Sequence, residues 1–394
     1  MSVQKIRAYI DENWRWLTGC AALFGVLIGT LLWKLDSLVP GYGAGEVATY
    51  NSSLSFHNIL DNPLNAPYLA LTRLLMYIHP GSYAVTRLVS AGIGIFTLFV
   101  FAALLKHWHN DRTAIIGTLL FGLSAWFLHT ARLGTPDVAL FGVFAVVAGG
   151  FWVKHTKSWF ALVACFIGVA WLLYIPGMIW FVLAGVIWQF KSIDRVFKRH
   201  LLAVSFAGLA LIVSLVPLGL GLYKHPHLIR QLLALPEHIP GPIQIAQNLF
   251  DVPFHLLVHG NANPATWLGT APVFDLFTLS MFAVGGYVYL RHWRLARTPI
   301  FLLIFVVTAV LMAIGGPITY SVVIPFLYLV IAAGVTYMLD MWFSVFPRNP
   351  LARGVGWGLV GLLVGMACIY HLTHYFVGWP QAAATQTVFT AQKP

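Results

Sequence analysis

A chain of 394 residues in which 59% are hydrophobic and only 9% carry charge has too little polar side-chain surface to cover a water-soluble globule of its size. The formal net charge of +11 does not point to nucleic acid, because the basic residues fall in short clusters between apolar runs rather than on one face. Cys20, Cys165 and Cys368 all lie inside apolar runs, so they indicate neither a disulfide framework nor a thiolate metal site and read as packing residues.

Crossing the hydrocarbon takes about 20 apolar residues in a helix. By that measure spans are expected at 17–33, 83–105, 113–130, 136–153, 159–175, 177–190, 201–220, 272–290, 299–314, 319–340 and 355–376. The first follows Lys5, Arg7 and Arg15 without a small-residue cleavage pattern and reads as an uncleaved span. Between it and the second lies a long segment, 34–82, in which the stretch GYGAGE stands out. Within it Val47, Tyr50 and Leu54 have near-helical spacing over 46–60, and a second short helix over 67–79 opens at Pro67. Both are expected to lie along the membrane surface. The second span carries Arg87 near its outer mouth. The third and fourth are joined by the turn ARLGTPD, in which Gly134 and Pro136 separate Arg132 from Asp137. The fifth and sixth are short and interrupted by Pro176, a pattern that also fits a re-entrant hairpin, and removing both leaves the sidedness of every other loop unchanged. Segment 221–271 mixes apolar residues with Pro226, Pro236, Pro240, Pro242, Pro253 and Pro264, as a broken helical cap would. Its His255 and His259 are spaced i, i+4, which in isolation is more often interfacial than a zinc pair. The fold class expected is an all-α polytopic membrane protein of about eleven transmembrane helices. It forms one transmembrane domain over 1–394, with external loops 34–82 and 221–271 and C-terminal helices over 272–376.

Charge sets the orientation. Of the 23 Lys and Arg, all but Lys34, Arg73, Arg87, Arg132, Lys224, Arg230 and Lys393 fall on the inner side, Lys157 among them. The outer side holds the two long loops and the carboxylates Asp36, Glu46, Asp61, Asp137, Glu237, Asp251 and Asp275. Length and acidity together place the chemistry there.

Several stretches resemble the GT-C glycosyltransferases, membrane enzymes that take a sugar from a polyprenyl-phosphate carrier, as protein mannosyltransferases and aminoarabinose transferases do. TRLVSAGIGIFTLF at 86–99 is similar to the start of that family's second span. GTLLFGLSAWFLHTARLGTPDVAL at 117–140 resembles its third span, Arg-containing turn and acidic fourth-span start. GNANPATWLGTAPVFDLFTLSMFAVGGYVYL at 260–290 resembles its re-entry into the membrane after the large loop. The chain departs from the family at Gly45, where many relatives place a second acid beside the first. It departs again at GGPITYSVVIP, where Thr319 and Tyr320 stand for an Arg-Tyr pair.

The resemblance implies an inverting transfer of a sugar to a hydroxyl of a lipid, glycan or protein acceptor at the external face of a membrane, expected to be the plasma membrane of a bacterium. A phosphate leaves without a strong general acid, so the chemistry needs one base and a set of donors for the growing phosphate charge. Glu46 fits the base, near a helix N-terminus that favours its ionised form, with Gly41, Gly43 and Gly45 letting the chain turn. Arg132 fits the carrier phosphate and Asp137 a group that orients it, Arg87 fits either phosphate or snorkelling, and Tyr320 fits a substrate contact. No metal ligand set stands out, which leaves room for a divalent metal without requiring one, and the expected partners are the lipid-linked sugar, its acceptor and membrane lipids, with no nucleic acid. Two other readings are a transporter or lipid flippase, which usually carries midplane ionisable groups in two related halves, and a polysaccharide polymerase or ligase using a lipid diphosphate, which has an Arg-rich later loop.

Overall fold

The computed structural model describes residues 3–155, 159–199, 201–260, 263–295 and 297–391. Lys157 and Lys393, and Asn261 and Ala262 of the re-entry stretch, lie outside the described residues. Helix α1 (Val3–Leu32) leads into the first loop, which carries α2 (Ala44–Ser52), α3 (Phe56–Asp61) and α4 (Ala66–Met76). The single helix expected over 46–60 is thus two. Ser53 ends the first, and the Ser55 hydroxyl starts the next by accepting the Asn58 N–H at 3.1 Å, the usual preference of Ser for caps over helix interiors. Helix α4 begins one residue before Pro67, where proline's missing N–H costs nothing.

Then come α5 (Ala84–Trp108), α6 (Asp111–Gly122), α7 (Ala125–Arg132), a 3-10 turn at Pro136–Phe141 continuing into α8 (Gly142–His155), α9 (Trp159–Leu172), α10 (Met178–Arg199) and α11 (Leu201–Lys224). The second loop holds α12 (Leu228–Leu232) and α13 (Pro242–Leu257). It is followed by α14 (Leu276–Arg291), α15 (Arg297–Ala313), a 3-10 turn at Tyr320–Val322, α16 (Ile324–Val345) and α17 (Pro350–Thr373). A π turn at His374–Gly378, α18 (Trp379–Gln381) and α19 (Ala383–Val388) complete the described chain.

Each expected span coincides with an apolar helix. Five are long and apolar enough to cross a membrane unaided, α6 and α7 together make a sixth, and the shorter apolar helices are 17–32, α9, 178–191, α14 and α15. The protein is an integral, multi-pass membrane protein. The third span is broken, with α6 and α7 meeting at 63°. Ser124 makes the break: its hydroxyl donates to the Phe121 carbonyl at 2.7 Å and accepts the Phe127 N–H at 3.3 Å, replacing helical bonds with a cap. The bend sends His129 and Arg132 beneath the long loops.

The bundle packs around α16, most of which is buried. Its Gly334 and the facing Gly285 of α14 let the two backbones touch, since a Cβ at either would overlap a main-chain carbonyl of the other helix. Lacking a hydrophobic drive between helices in lipid, membrane bundles rely on such close approaches.

Several loops expected on the same side contact one another. At one end Lys106 pairs with Asp111 at 3.2 Å, Arg297 donates to the Trp108 carbonyl at 2.9 Å, and the Arg112 and Arg353 guanidiniums stack on Trp357 and Phe343. At the other end the long loops meet the short turns and the C-terminal tail. Here Asn65 N–H donates to Tyr174 at 2.8 Å, Gly177 N–H to Leu232 at 2.8 Å, and the Trp379 indole to Pro264 at 3.0 Å.

Candidate functional site

The GYGAGE stretch is built by contact with two distant segments. Tyr42 forms an antiparallel bridge with Ala391, its N–H donating at 2.9 Å and its carbonyl accepting at 3.3 Å. A Cβ on Gly41 would lie 2.5 Å from the Ala391 carbonyl oxygen, and one on Gly43 would press on the Phe389 ring at 3.2 Å. These glycines therefore admit the C-terminal tail. Neither has a positive φ, so the expected role as a flexible turn gives way to close backbone approach. The tail itself was not expected at the site; its one signal in the sequence is the apolar Val388–Phe389 pair following the last span.

Glu46 stands at the third position of α2 and is buried at 1% exposure. Its carboxylate accepts four N–H groups: Gly43 at 3.0 Å, reaching back from the third helical position to the N-cap, Gly134 at 2.8 Å, and Arg87 Nε and an Arg87 terminal nitrogen at 2.7 and 2.8 Å. Gly134 is required at its position, because a Cβ there would overlap the Thr86 side chain. Arg87 is equally committed. Its remaining donors reach the carbonyls of Leu35 (3.2 Å), Asp36 (3.4 Å) and Gly41 (2.9 Å), and its guanidinium lies 4.4 Å from the Tyr42 ring centre. All five Arg N–H groups are thus engaged. Arg87 neither snorkels nor reaches open space: 2% of it is exposed. The Tyr42 hydroxyl donates to Asp36, and burial together with that carboxylate pushes the phenol above its ordinary range, so it stays a donor.

Arg132 and Asp137 do not meet. Arg132 turns to the end of α1, donating to the carbonyls of Thr30 at 2.5 Å and Trp33 at 2.7 Å, with the rings of Tyr375 and Phe376 at 5.3 and 4.8 Å. A cation belongs on the unpaired carbonyls of a helix C-terminus. Among the described residues Asp137 accepts only the Thr135 hydroxyl, at 3.1 Å, and it stays partly exposed. The Tyr320 hydroxyl donates to the Val252 carbonyl at 2.9 Å, joining α13 to the turn before α16. Arg73 of α4, one of the basic residues expected on the outer side, is half-buried and stacked on Tyr77 at 4.8 Å.

Beside this knot opens a cavity of about 440 Å³. Its walls are Ala48, Thr49 and Ser52 of α2, Asn62, Leu64, Asn65 and Leu69 around the α3–α4 link, Pro136 before α8, Pro176 between α9 and α10, Gln231, Ala234 and Leu235 of the second loop, and Pro317. Five separate loops at this end contribute. The backbone is constrained here: Asn65 (φ 59°) and Ala234 (φ 54°) are two of the three non-glycine residues with positive φ among those described, and such conformations cluster at functional sites. Asn62, Asn65 and Gln231 were not expected at a site; only Asn65, before Ala66–Pro67, carries a helix-start signal in the sequence.

The donor set does not fit a divalent cation. Every lone pair of Glu46 already faces an N–H, an arginine occupies the adjoining space, and no group of three His, Cys, Asp or Glu converges among the described residues. His255 and His259 are joined through a ring nitrogen and a main-chain carbonyl at 3.3 Å.

No family model and no curated protein matches the chain. Among solved structures it shares the fold of ArnT from Cupriavidus metallidurans in the apo state, with TM-score 0.63 and 15% identity over 95% of this chain and 78% of that one. The same protein bound to undecaprenyl phosphate matches with TM-score 0.52 and 14% identity, over 94% and 77%. The Archaeoglobus fulgidus oligosaccharyltransferase in complex with Zn and sulfate matches with TM-score 0.54 and 15% identity over 94% of this chain but 53% of its own length. Both are GT-C glycosyltransferases, and the fold of this chain is theirs.

Proposed function

We propose that this chain is a membrane glycosyltransferase that moves a sugar from a polyprenyl-phosphate carrier to an acceptor hydroxyl at the loop-rich end of the bundle, facing outside the cell. The observation that carries the reading is the cavity. In a chain with the fold of a protein described with undecaprenyl phosphate bound, five loops of one end line a space with five polar and eight apolar wall residues, beside a carboxylate with open acceptor positions.

The reaction is a single displacement. The acceptor oxygen bonds to the anomeric carbon as the bond from that carbon to the phosphate oxygen breaks, the electron pair leaves with the carrier phosphate, and the configuration inverts. The acceptor's proton passes to a base. The geometry favours Asp137 as that base, because it follows the wall residue Pro136, keeps some exposure and accepts one hydrogen bond. Glu46, the base expected from the sequence, would have to release one of four N–H donors first, and its arrangement favours a positioning role that ties α2, α5 and the Gly134 turn together. Arg87 and Arg132 are likewise spent on internal acceptors. The charge on the carrier phosphate then falls to the exposed Lys224, which lies 3.9 Å from Asp61 beside the wall residue Asn62. Helix α4, which opens at the wall residue Asn65 without a side-chain cap, adds the positive end of its dipole.

The test is phosphate-carrier release by purified protein in lipid nanodiscs supplied with a panel of polyprenyl-phosphate sugars and a mixed acceptor fraction. The parent should turn over at least one donor, and Asp137→Asn should lose about 100-fold or more in turnover while still binding carrier. A parent that neither binds nor consumes any member of the panel overturns the reading. Undiminished turnover by Asp137→Asn returns the base to Glu46.

A further inference from the structure

We infer that the cavity selects an uncharged sugar, read through its hydroxyl groups by carboxamides; this rests on the transferase reading above. The polar side chains of the wall are Thr49, Ser52, Asn62, Asn65 and Gln231, and among the described residues it carries no Asp, Glu, Lys, Arg or His. A carboxamide offers two donors and two acceptor positions in one plane, which suits a pair of neighbouring hydroxyls, each both donor and acceptor. An ammonium or carboxylate on the sugar would find no counter-charge on these walls and would lose its hydration without replacement.

The polar capacity of the wall is unspent. Ser52, Asn65 and Gln231 have no side-chain hydrogen bond to any described residue. Asn62 uses only its oxygen, to accept the Leu64 N–H at 3.3 Å, and Thr49 only its hydroxyl hydrogen, given to the Gly45 carbonyl at 2.7 Å. A site built to bond hydroxyls rejects a sugar that leaves such groups unpaired. Asn65 and Ala234 hold left-handed backbone conformations on two different wall segments, so both walls are set by strained residues rather than by exchangeable loop positions.

The charged neighbours are accounted for. Asp61 sits between His57 at 3.2 Å and Lys224 at 3.9 Å, outside the wall. Arg230 turns its guanidinium to the carbonyls of Pro236 and Glu237. Asp137 is the group that takes the acceptor's proton in the proposed reaction, so it serves the reacting hydroxyl rather than a substituent of the sugar.

Three carriers with the same short polyprenyl phosphate and different sugars decide this: a neutral hexose, a 4-amino pentose and a hexuronic acid. Each displaces radiolabelled polyprenyl phosphate from the protein in nanodiscs. The neutral carrier should bind about tenfold or more tightly than either charged one, and Gln231→Glu, on an exposed site that does not endanger folding, should reverse the order between the neutral and amino carriers. Equal binding of a charged carrier by the parent, or an unchanged order in Gln231→Glu, overturns the neutral-sugar subsite and leaves the transferase reading standing. Failure of all three carriers to displace polyprenyl phosphate overturns both.

Discussion

Replacing Glu46 by glutamine tests the buried knot directly. The substitution keeps the shape of the side chain, so from the sequence it is expected to cut turnover about 100-fold through loss of a base, with stability intact. The structure gives a different expectation. Both carboxylate oxygens accept two N–H groups each, so an amide nitrogen placed at either position faces donors instead of acceptors. Arg87 meanwhile keeps its full charge at 2% exposure with its counter-ion gone. Breaking one side of a buried ion pair costs about 3–5 kcal/mol, largely because the remaining charge is stranded. Carbonyl contacts from Leu35, Asp36 and Gly41 soften this toward the lower end, about 3 kcal/mol. The assay is thermal unfolding in detergent for Glu46→Gln, Arg87→Met and the double variant. The double variant should be less destabilised than the sum of the singles by at least about 1 kcal/mol, because removing both partners strands neither. A Glu46→Gln protein that unfolds like the parent, with additive singles, refutes the knot as the structure describes it and restores Glu46 as a free base.

Arg132→Ala should lower stability by about 1.5–3 kcal/mol by uncapping the end of α1, whereas Arg73→Ala, half-buried on Tyr77, should cost under about 1 kcal/mol; equal unfolding temperatures for the two would contradict this. Gly177→Ala should destabilise by at least about 1–2 kcal/mol, since φ is 78° and the new Cβ would lie 2.6 Å from the Ile318 side chain; wild-type unfolding of this variant would show that the cavity wall yields there. Single cysteines at positions 61 and 238 should react with an impermeant reagent added to intact cells, and those at 194 and 294 should not; labelling at 194 would invert the orientation and move the cavity to the inner face.

Hydropathy and charge were enough to read the architecture, because both are summed over whole segments and tolerate local error. Eleven apolar runs became eleven apolar helical segments, and the basic residues Lys106, Arg112, Arg297 and Arg353 meet neighbours from the loops expected on their own side. Pro67, which starts a helix, acts within a few residues of itself and is equally legible; the caps Ser55 and Ser124 act as locally, but the splits they make in an expected helix and an expected span were not read, because each depends on what the freed ends can pack against. What no local pattern contains is the partner of a polar side chain. Glu46 and Arg87 are 41 positions apart, Glu46 and Gly134 are 88, and Arg132 reaches back 102 to Thr30. A sequence shows three charges near the outer ends of spans, where each looks free to bind substrate. Only the tertiary structure turns them inward, because a charge removed from water must find its counter-ion and donors within the protein. The same holds for the cavity, whose walls come from five separate loops and whose carboxamides acquire meaning only once those loops face one another.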